Sequence, residues 1–115
     1  MSRKPTNLLP QVAFNILLAL SLKPRHGYEL MQQIEQDSKG LIKIGHGALY
    51  GTIKQLNEEG LIEEVPTQKR ERRRYYRLTK KGRARLGAEL KYFEQAVAVA
   101  HKRKLLQPNQ GALHV

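Results

Sequence analysis

The chain has 115 residues, no cysteine, no tryptophan and a formal net charge of +11. That length holds one domain with one core. The absence of cysteine excludes a disulfide frame and a thiolate zinc site and makes a cytoplasmic address the default. No apolar run approaches the ~20 residues that cross a bilayer, and the charged opening Met1–Pro5 leads into no clean secretory core.

In chain order, Leu9, Val12, Ile16, Leu17 and Leu20 repeat at a helical period, which predicts a first helix over Asn7–Leu22 with Pro10 in its first turn. The run Lys23-Pro24-Arg25-His26-Gly27 breaks it. A second helix is expected from about Tyr28 to Asp37, with Leu30, Met31 and Ile34 inward, ended by Ser38-Lys39-Gly40. A third is expected from Gly45 to Glu59 with Gly60 just past its end, where glycine commonly stops a helix. Leu61–Val65 reads as a strand stopped by Pro66, Thr67–Arg73 as a polar turn, and Arg74–Leu78 as the returning strand. Thr79 caps a fourth helix reaching about Leu106, and 107–115 reads as a flexible tail.

Helix–helix–helix–strand–turn–strand–helix is the order of a winged helix-turn-helix. The expected fold is mainly α with a small β-hairpin: a winged helix-turn-helix DNA-binding domain over 1–78, then a C-terminal dimerisation helix over 79–106.

On a helical wheel Leu49, Ile53 and Leu56 make the core face of the third helix. The opposite face holds Gly47, Gly51, Lys54, Gln55 and Glu58, with Tyr50 and Thr52 at its flanks. Two outward glycines cost a helix about 1 kcal/mol each against alanine. A groove wall approaching the backbone would account for that cost, although Gly45 and Gly47 also suit a helix start. Lys54 and Gln55 carry the chemistry for guanine and adenine edges. Tyr50 fits a phosphate contact or a core-edge position equally. His46, at the helix start, reads as phosphate-facing or solvated; the four histidines match no metal spacing.

The charge is concentrated next. Ten of the seventeen residues 69–85 are basic and Glu71 alone is acidic. Lys69, Arg70, Arg72, Arg73 and Arg74 precede the aromatic pair Tyr75-Tyr76, which suggests a charged hairpin on an ordered domain. Such a patch seeks a dense line of negative charge, with double-stranded DNA as the partner; a solvated basic run is the plainer reading. In the fourth helix Leu86, Leu90, Phe93 and Val97 form a heptad-like seam. A helix standing beyond a three-helix core pairs most readily with a second copy, and a two-fold dimer suits a palindromic operator. Packing back on the first helix is the alternative.

The segments HGYELMQQIEQDSKG (26–40), GALYGTIKQLNEEGLIEE (47–64) and RRRYYRLTKKGRARL (72–86) together resemble the PadR family, named after regulators of phenolic acid decarboxylase. The resemblance spans roughly residues 8–106. It implies a dimeric transcription regulator, usually a repressor, whose third helix enters the major groove while the wing touches backbone or minor groove. By that resemblance Tyr50 falls on a phosphate-contacting tyrosine, Thr52 and Lys54 on reading positions, and Arg72, Arg73 and Arg74 on the basic base of the wing. Gly51 stands where many members have proline, and residues 67–71 lack the glycines of many wing tips. The single C-terminal helix matches the short branch of the family. There it implies a small aromatic effector at the dimer interface, with Phe93 at the stacking position and Gln11 and Asn15 across from it. Phe93 as ordinary dimer core is the alternative.

Three rivals remain: a nonspecific RNA-binding or architectural DNA-binding protein, a winged-helix domain used for protein contact, and an enzyme. The first predicts no half-site symmetry, and the second leaves Lys54, Gln55 and the arginines without a role. The enzyme is least supported, since Ser2, Ser21 and Ser38 sit in no nucleophile motif and no P-loop appears. Nothing calls for a metal or cofactor.

Overall fold

A computed structural model of the chain describes residues 8–68 and 70–107. Its elements are α1 (Gln11–Ala19), β1 (Arg25–His26), α2 (Gly27–Asp37), α3 (His46–Glu58), β2 (Ile62–Val65), β3 (Tyr75–Leu78) and α4 (Lys80–Lys102). The expected wing residue Lys69 and residues 108–115 of the expected tail lie outside the described residues. The architecture is the expected winged helix-turn-helix followed by a long helix, with one addition. The hairpin is part of a three-stranded antiparallel sheet ordered β1-β3-β2, in which Arg25 pairs with Tyr76 and His26 with Tyr75. Two residues form too short a run for alternation to reveal.

The helix boundaries depart from the periodicity for local reasons. Pro10 is the N-cap of α1, not a first-turn residue, with extended backbone and its carbonyl accepting from Phe14. At the other end α1 stops at Ala19, three residues short of Leu22. The orphan carbonyls of Leu18 and Ala19 are taken by the Ser21 hydroxyl at 2.7 Å and the Arg25 guanidinium at 2.7 Å. The run expected to be a plain break thus supplies a strand and a C-terminal cap. α2 starts one residue early because the His26 ring accepts from the Glu29 N–H while the Glu29 carboxylate accepts from the His26 N–H. α4 ends at Lys102 instead of Leu106, where Lys104 turns left-handed at φ 60. There Lys104 and Leu105 donate back to His101 and Ala100, the pattern that closes a helix end.

The core joins every layer. Ile16 and Leu17 of α1 and Leu20 just past its end meet Leu30 and Ile34 of α2, Leu49, Ile53 and Leu56 of α3, and Leu61, Ile62 and Tyr76 of the sheet region. The wheel for α3 is therefore correct for its buried face.

The hand-over from α3 to α4 is tightly sewn. Gly60 carries φ +77 past α3, and its carbonyl accepts from the Thr79 hydroxyl at 2.6 Å. That same hydroxyl caps α4 by accepting from the Gly82 N–H at 3.0 Å. Gly82 itself lies flat against the Leu61 carbonyl, with no room for a side chain.

Only the first part of α4 belongs to this body. Gly82, Leu86 and Glu89 are its buried residues. The Glu89 carboxylate, 3% exposed, accepts from the Leu9 N–H at 2.7 Å and so ties the approach to α1 onto α4. Beyond it residues 90–98 are all exposed. A helix of 23 residues is about 34 Å long, so the second half projects as an arm. Leu86, expected in an intermolecular seam, is instead 5% exposed within the chain's own core. No helix among the described residues is long and apolar enough to cross a membrane.

Candidate nucleic-acid interface

The exposed side of α3 carries Gly47, Gly51, Lys54 and Glu58. A Cβ built on Gly47 or Gly51 meets nothing within 4 Å. Neither glycine is therefore required by packing, and their shared effect is a shallow strip of bare backbone beside Lys54. Thr52 and Gln55 are turned off this strip. With Leu9, Pro10 and Arg85 they line a cleft of about 260 Å³ between α3 and the approach to α1. The Thr52 hydroxyl donates to the Ala48 carbonyl at 2.8 Å, and Gln55 reaches Glu59 at 3.5 Å. Residues 8–10 thus stand beside this flank of α3, where Thr52 is half-buried and Gln55 exposed.

Tyr50 leans the other way, toward α2. Its hydroxyl rests on Gly27 so closely that a methyl group there would overlap the phenol oxygen. His46, one turn earlier, stacks on the Tyr50 ring with centroids 6.3 Å apart. Tyr50 is neither buried in the core nor free. It is about half exposed and forms one wall of a concavity of about 480 Å³. The opposite walls are the α2 start at His26–Tyr28 and the wing base at Arg72, Arg73, Arg74 and Tyr76. Three guanidinium-bearing residues, a tyrosine hydroxyl and a helix N-terminus thus converge on one hollow. That chemistry suits a phosphate oxygen. Burial pushes the Tyr76 hydroxyl above its ordinary pKa, with Glu64 adding to the rise, so at neutral pH it keeps its proton.

The wing arginines are not equivalent. Arg70, Arg72, Arg73 and Arg74 are all exposed, but they differ in partners. Arg73 is clasped by Glu71: its Nε and its backbone N–H each donate to Oε1 at 3.0 Å, and Nη2 donates to Oε2 at 3.1 Å. Hydrogen bonding to Arg73 lowers the Glu71 carboxyl to about 2, and the same pairing raises Arg73. Arg73 Nη1 also lies 3.4 Å from Nε2 of His26, which brings the wing against the start of α2. Sequence reading singled out the arginines but missed this internal pairing. Its signal was the lone acidic residue two positions before Arg73.

On the projecting arm Leu90, Phe93 and Val97 are exposed apolar residues. Phe93 meets Phe14 of α1 edge to face, centroids 5.2 Å apart, and Tyr92 lies 5.5 Å from it. Of the two polar residues expected to face Phe93, Gln11 is exposed. Asn15 is 7% exposed, and its amide donates to the Gln11 carbonyl at 2.9 Å. One amide hydrogen of Asn15 is thus engaged within a turn of α1. Among the described residues no cluster of His, Asp or Glu could hold a metal ion.

Comparison with known proteins gives a consistent picture. The profile of the transcriptional regulator PadR-like family matches residues 16–88. A transcriptional regulator from Clostridium thermocellum is 27% identical, with 79% of this chain and 90% of that one covered and a TM-score of 0.68. A PadR family transcription regulator from Clostridium difficile is 20% identical, covering 81% and 97%, with a TM-score of 0.69. Bacillus subtilis PadR, solved in complex with operator DNA, is 23% identical with a TM-score of 0.63; the match covers 70% of this chain and 47% of that one. At those two lower identities the likeness is one of fold. No curated protein matches the sequence.

Proposed function

The chain belongs to the PadR-like family of transcriptional regulators, not to an enzyme family, and from that premise we propose that it is a dimeric repressor that binds a palindromic DNA operator. The observation that carries this reading is the convergence of Tyr50 of α3, the start of α2 and the wing arginines on one hollow. α3 enters the major groove along Gly47, Gly51 and Lys54, with Lys54 reading a base edge. Tyr50, Arg72 and Arg74 hold the adjoining phosphates and set the register without reading sequence, with Arg73 beside them at the wing base. Arg70 and Lys69 extend that grip toward the wing tip, while Thr52 and Gln55 reach the groove only from its edge.

The dimer forms through the arm. Leu90, Phe93 and Val97 meet the same residues of a second copy, an isologous contact. Burying about 500 Å² of apolar surface there gives a gross term on the order of 10 kcal/mol before association costs. The winged body, including α4 through Glu89, then reads one half-site, and residues 90–102 join two bodies. A small flat aromatic compound bound between Phe93 and Phe14 of the two copies would relieve repression by changing the spacing of the bodies. Gln11 flanks such a site.

The test compares anisotropy of a labelled random DNA duplex with that of an RNA hairpin of equal length, at two salt concentrations. Clear preference for the duplex supports the reading. Equal, equally salt-sensitive binding to both would favour a nonspecific basic nucleic-acid binder.

A further inference from the structure

Glu71 is the only carboxylate between β2 and β3, and it sits among the very arginines that make the wing positive. A stray acidic residue there would weaken a DNA-binding surface by simple repulsion. This one does something more specific. Both its oxygens are engaged by Arg73, through Nε at 3.0 Å, Nη2 at 3.1 Å and the backbone N–H at 3.0 Å. A planar guanidinium meets a phosphate with the same two-toothed fork. The geometry that would grip DNA is therefore already closed on an internal anion.

The setting favours a preformed clasp over a casual surface pair. The backbone bond fixes Glu71 and Arg73 within one tight turn, so little side-chain freedom is lost in making it. The Glu71 carboxyl is held at about 2, so it stays ionised at any physiological pH. Arg73 also borders the hollow lined by Tyr50 and Gly27, so release of its guanidinium would place one more cation where a phosphate is expected.

We propose that Glu71 is an intramolecular stand-in for a DNA phosphate, which holds Arg73 back and so limits the grip of the wing on the DNA backbone. The inference rests on the DNA-binding reading above and deepens it. Arg72 and Arg74 supply the standing affinity, and Arg73 is a reserve contact that a phosphate gains only by displacing a carboxylate. Since phosphate contacts carry no sequence information, the restraint acts on every sequence and keeps a strongly basic chain from settling on arbitrary DNA.

The test uses the full chain and a random-sequence duplex, with binding measured from 50 to 200 mM salt for wild type, Glu71→Gln, Arg73→Ala and the double variant. Freeing one phosphate contact steepens the salt slope by about 0.9, so the loss of affinity across that range grows roughly 3.5-fold. Glu71→Gln is expected to bind more tightly at 50 mM and to show that steeper slope. Neither change should survive in the Arg73→Ala background. Tightening that persists without Arg73 means plain repulsion and overturns the clasp. Weaker binding by Glu71→Gln makes the pair a structural support of the wing and overturns it too. If wild type binds duplex and Glu71→Gln matches it, the clasp alone fails. If wild type does not bind duplex at all, the functional reading fails with it.

Discussion

The Tyr50 hydroxyl closes on the backbone of Gly27, joining the exposed edge of α3 to the first residue of α2. A second glycine, Gly82, is packed with the same intimacy against the Leu61 carbonyl. The two contacts differ in what can yield. Tyr50 is a half-exposed side chain able to swing into solvent, whereas the Leu61 carbonyl is backbone fixed by Thr79 and the start of β2.

Alanine at these two glycines should separate binding from stability. Gly82→Ala forces apart α4 and β2 and is expected to cost about 3 kcal/mol or more of folding stability. Gly27→Ala should cost less than about 1 kcal/mol, because Tyr50 moves aside, while DNA affinity falls by about 1–2 kcal/mol through the misplaced hydroxyl. Denaturant unfolding and duplex titration of each variant check this. Equal losses of stability would mean that Tyr50 is locked in place.

Lys54 is exposed beside the bare strip of α3, and in the proposed complex it is the residue that reaches a base. Lys54→Ala should relax preference at one position of each half-site by about 1–3 kcal/mol. Binding measured across single-base variants of the operator shows the effect as a local loss. A uniform loss across all variants would make Lys54 a phosphate contact.

Along α4 two apolar residues two turns apart on one face should fail differently. Leu86→Ala opens a cavity in the core and is expected to cost about 2–5 kcal/mol of stability. Phe93→Asp leaves that core intact and should yield a folded monomer with no half-site cooperativity, as seen by sedimentation and by circular dichroism. A Phe93→Asp chain that remains a dimer would remove the arm from the interface.

Within the wing, Arg72→Ala should flatten the salt dependence of duplex binding by about one unit. Arg73→Ala should flatten it less, because Glu71 already occupies that guanidinium. Reversal of this order would place Arg73 on DNA in the wild-type complex.

The Glu71–Arg73 pair also has a defined pH window. The Glu71 carboxyl is depressed from an ordinary 4.5 to about 2 in the fold. A depressed carboxylate contributes stability that is fully present above its ordinary value and is lost as pH falls through the folded one. The clasp should thus be intact at neutral pH and dissolve only between about 4.5 and about 2. Carboxyl carbon chemical shifts of Glu71 followed by NMR give the midpoint; a value near 4.5 would mean that the pair does not persist in solution.

Much of this fold was legible because each long element carries its own period and punctuation. Leu49, Ile53 and Leu56 pointed to the buried face of α3, and Gly60 and Thr79 marked the turn into the sheet and the start of α4. What stayed hidden depends on contacts between segments distant in sequence. The strand Arg25–His26 exists because Tyr75 and Tyr76 pair with it. Nothing in the pattern of α4 marks Glu89, which is buried on the Leu9 N–H. The seam read from Leu86 to Val97 mixed one core leucine with three exposed residues, since heptad spacing alone does not show where a helix leaves its own domain.

Thr52, Gln55 and Asn15 carry the same lesson at the candidate site. Their residue types suited base or ligand recognition, but they did not show the cleft that Leu8–Pro10 form beside Thr52 and Gln55, or the Gln11 carbonyl that accepts from the Asn15 amide. The arginines were conspicuous by composition. Which of them is held by Glu71 required the turn itself.

The most direct measurement is selection of bound sequences from a random duplex library by the full chain, followed by affinity for the winning sequence and for random duplex at two salt concentrations. The account predicts an enriched inverted repeat with half-sites about one helical turn apart, bound far more tightly than random duplex at both salts. Salt-sensitive binding with no enriched motif would contradict it.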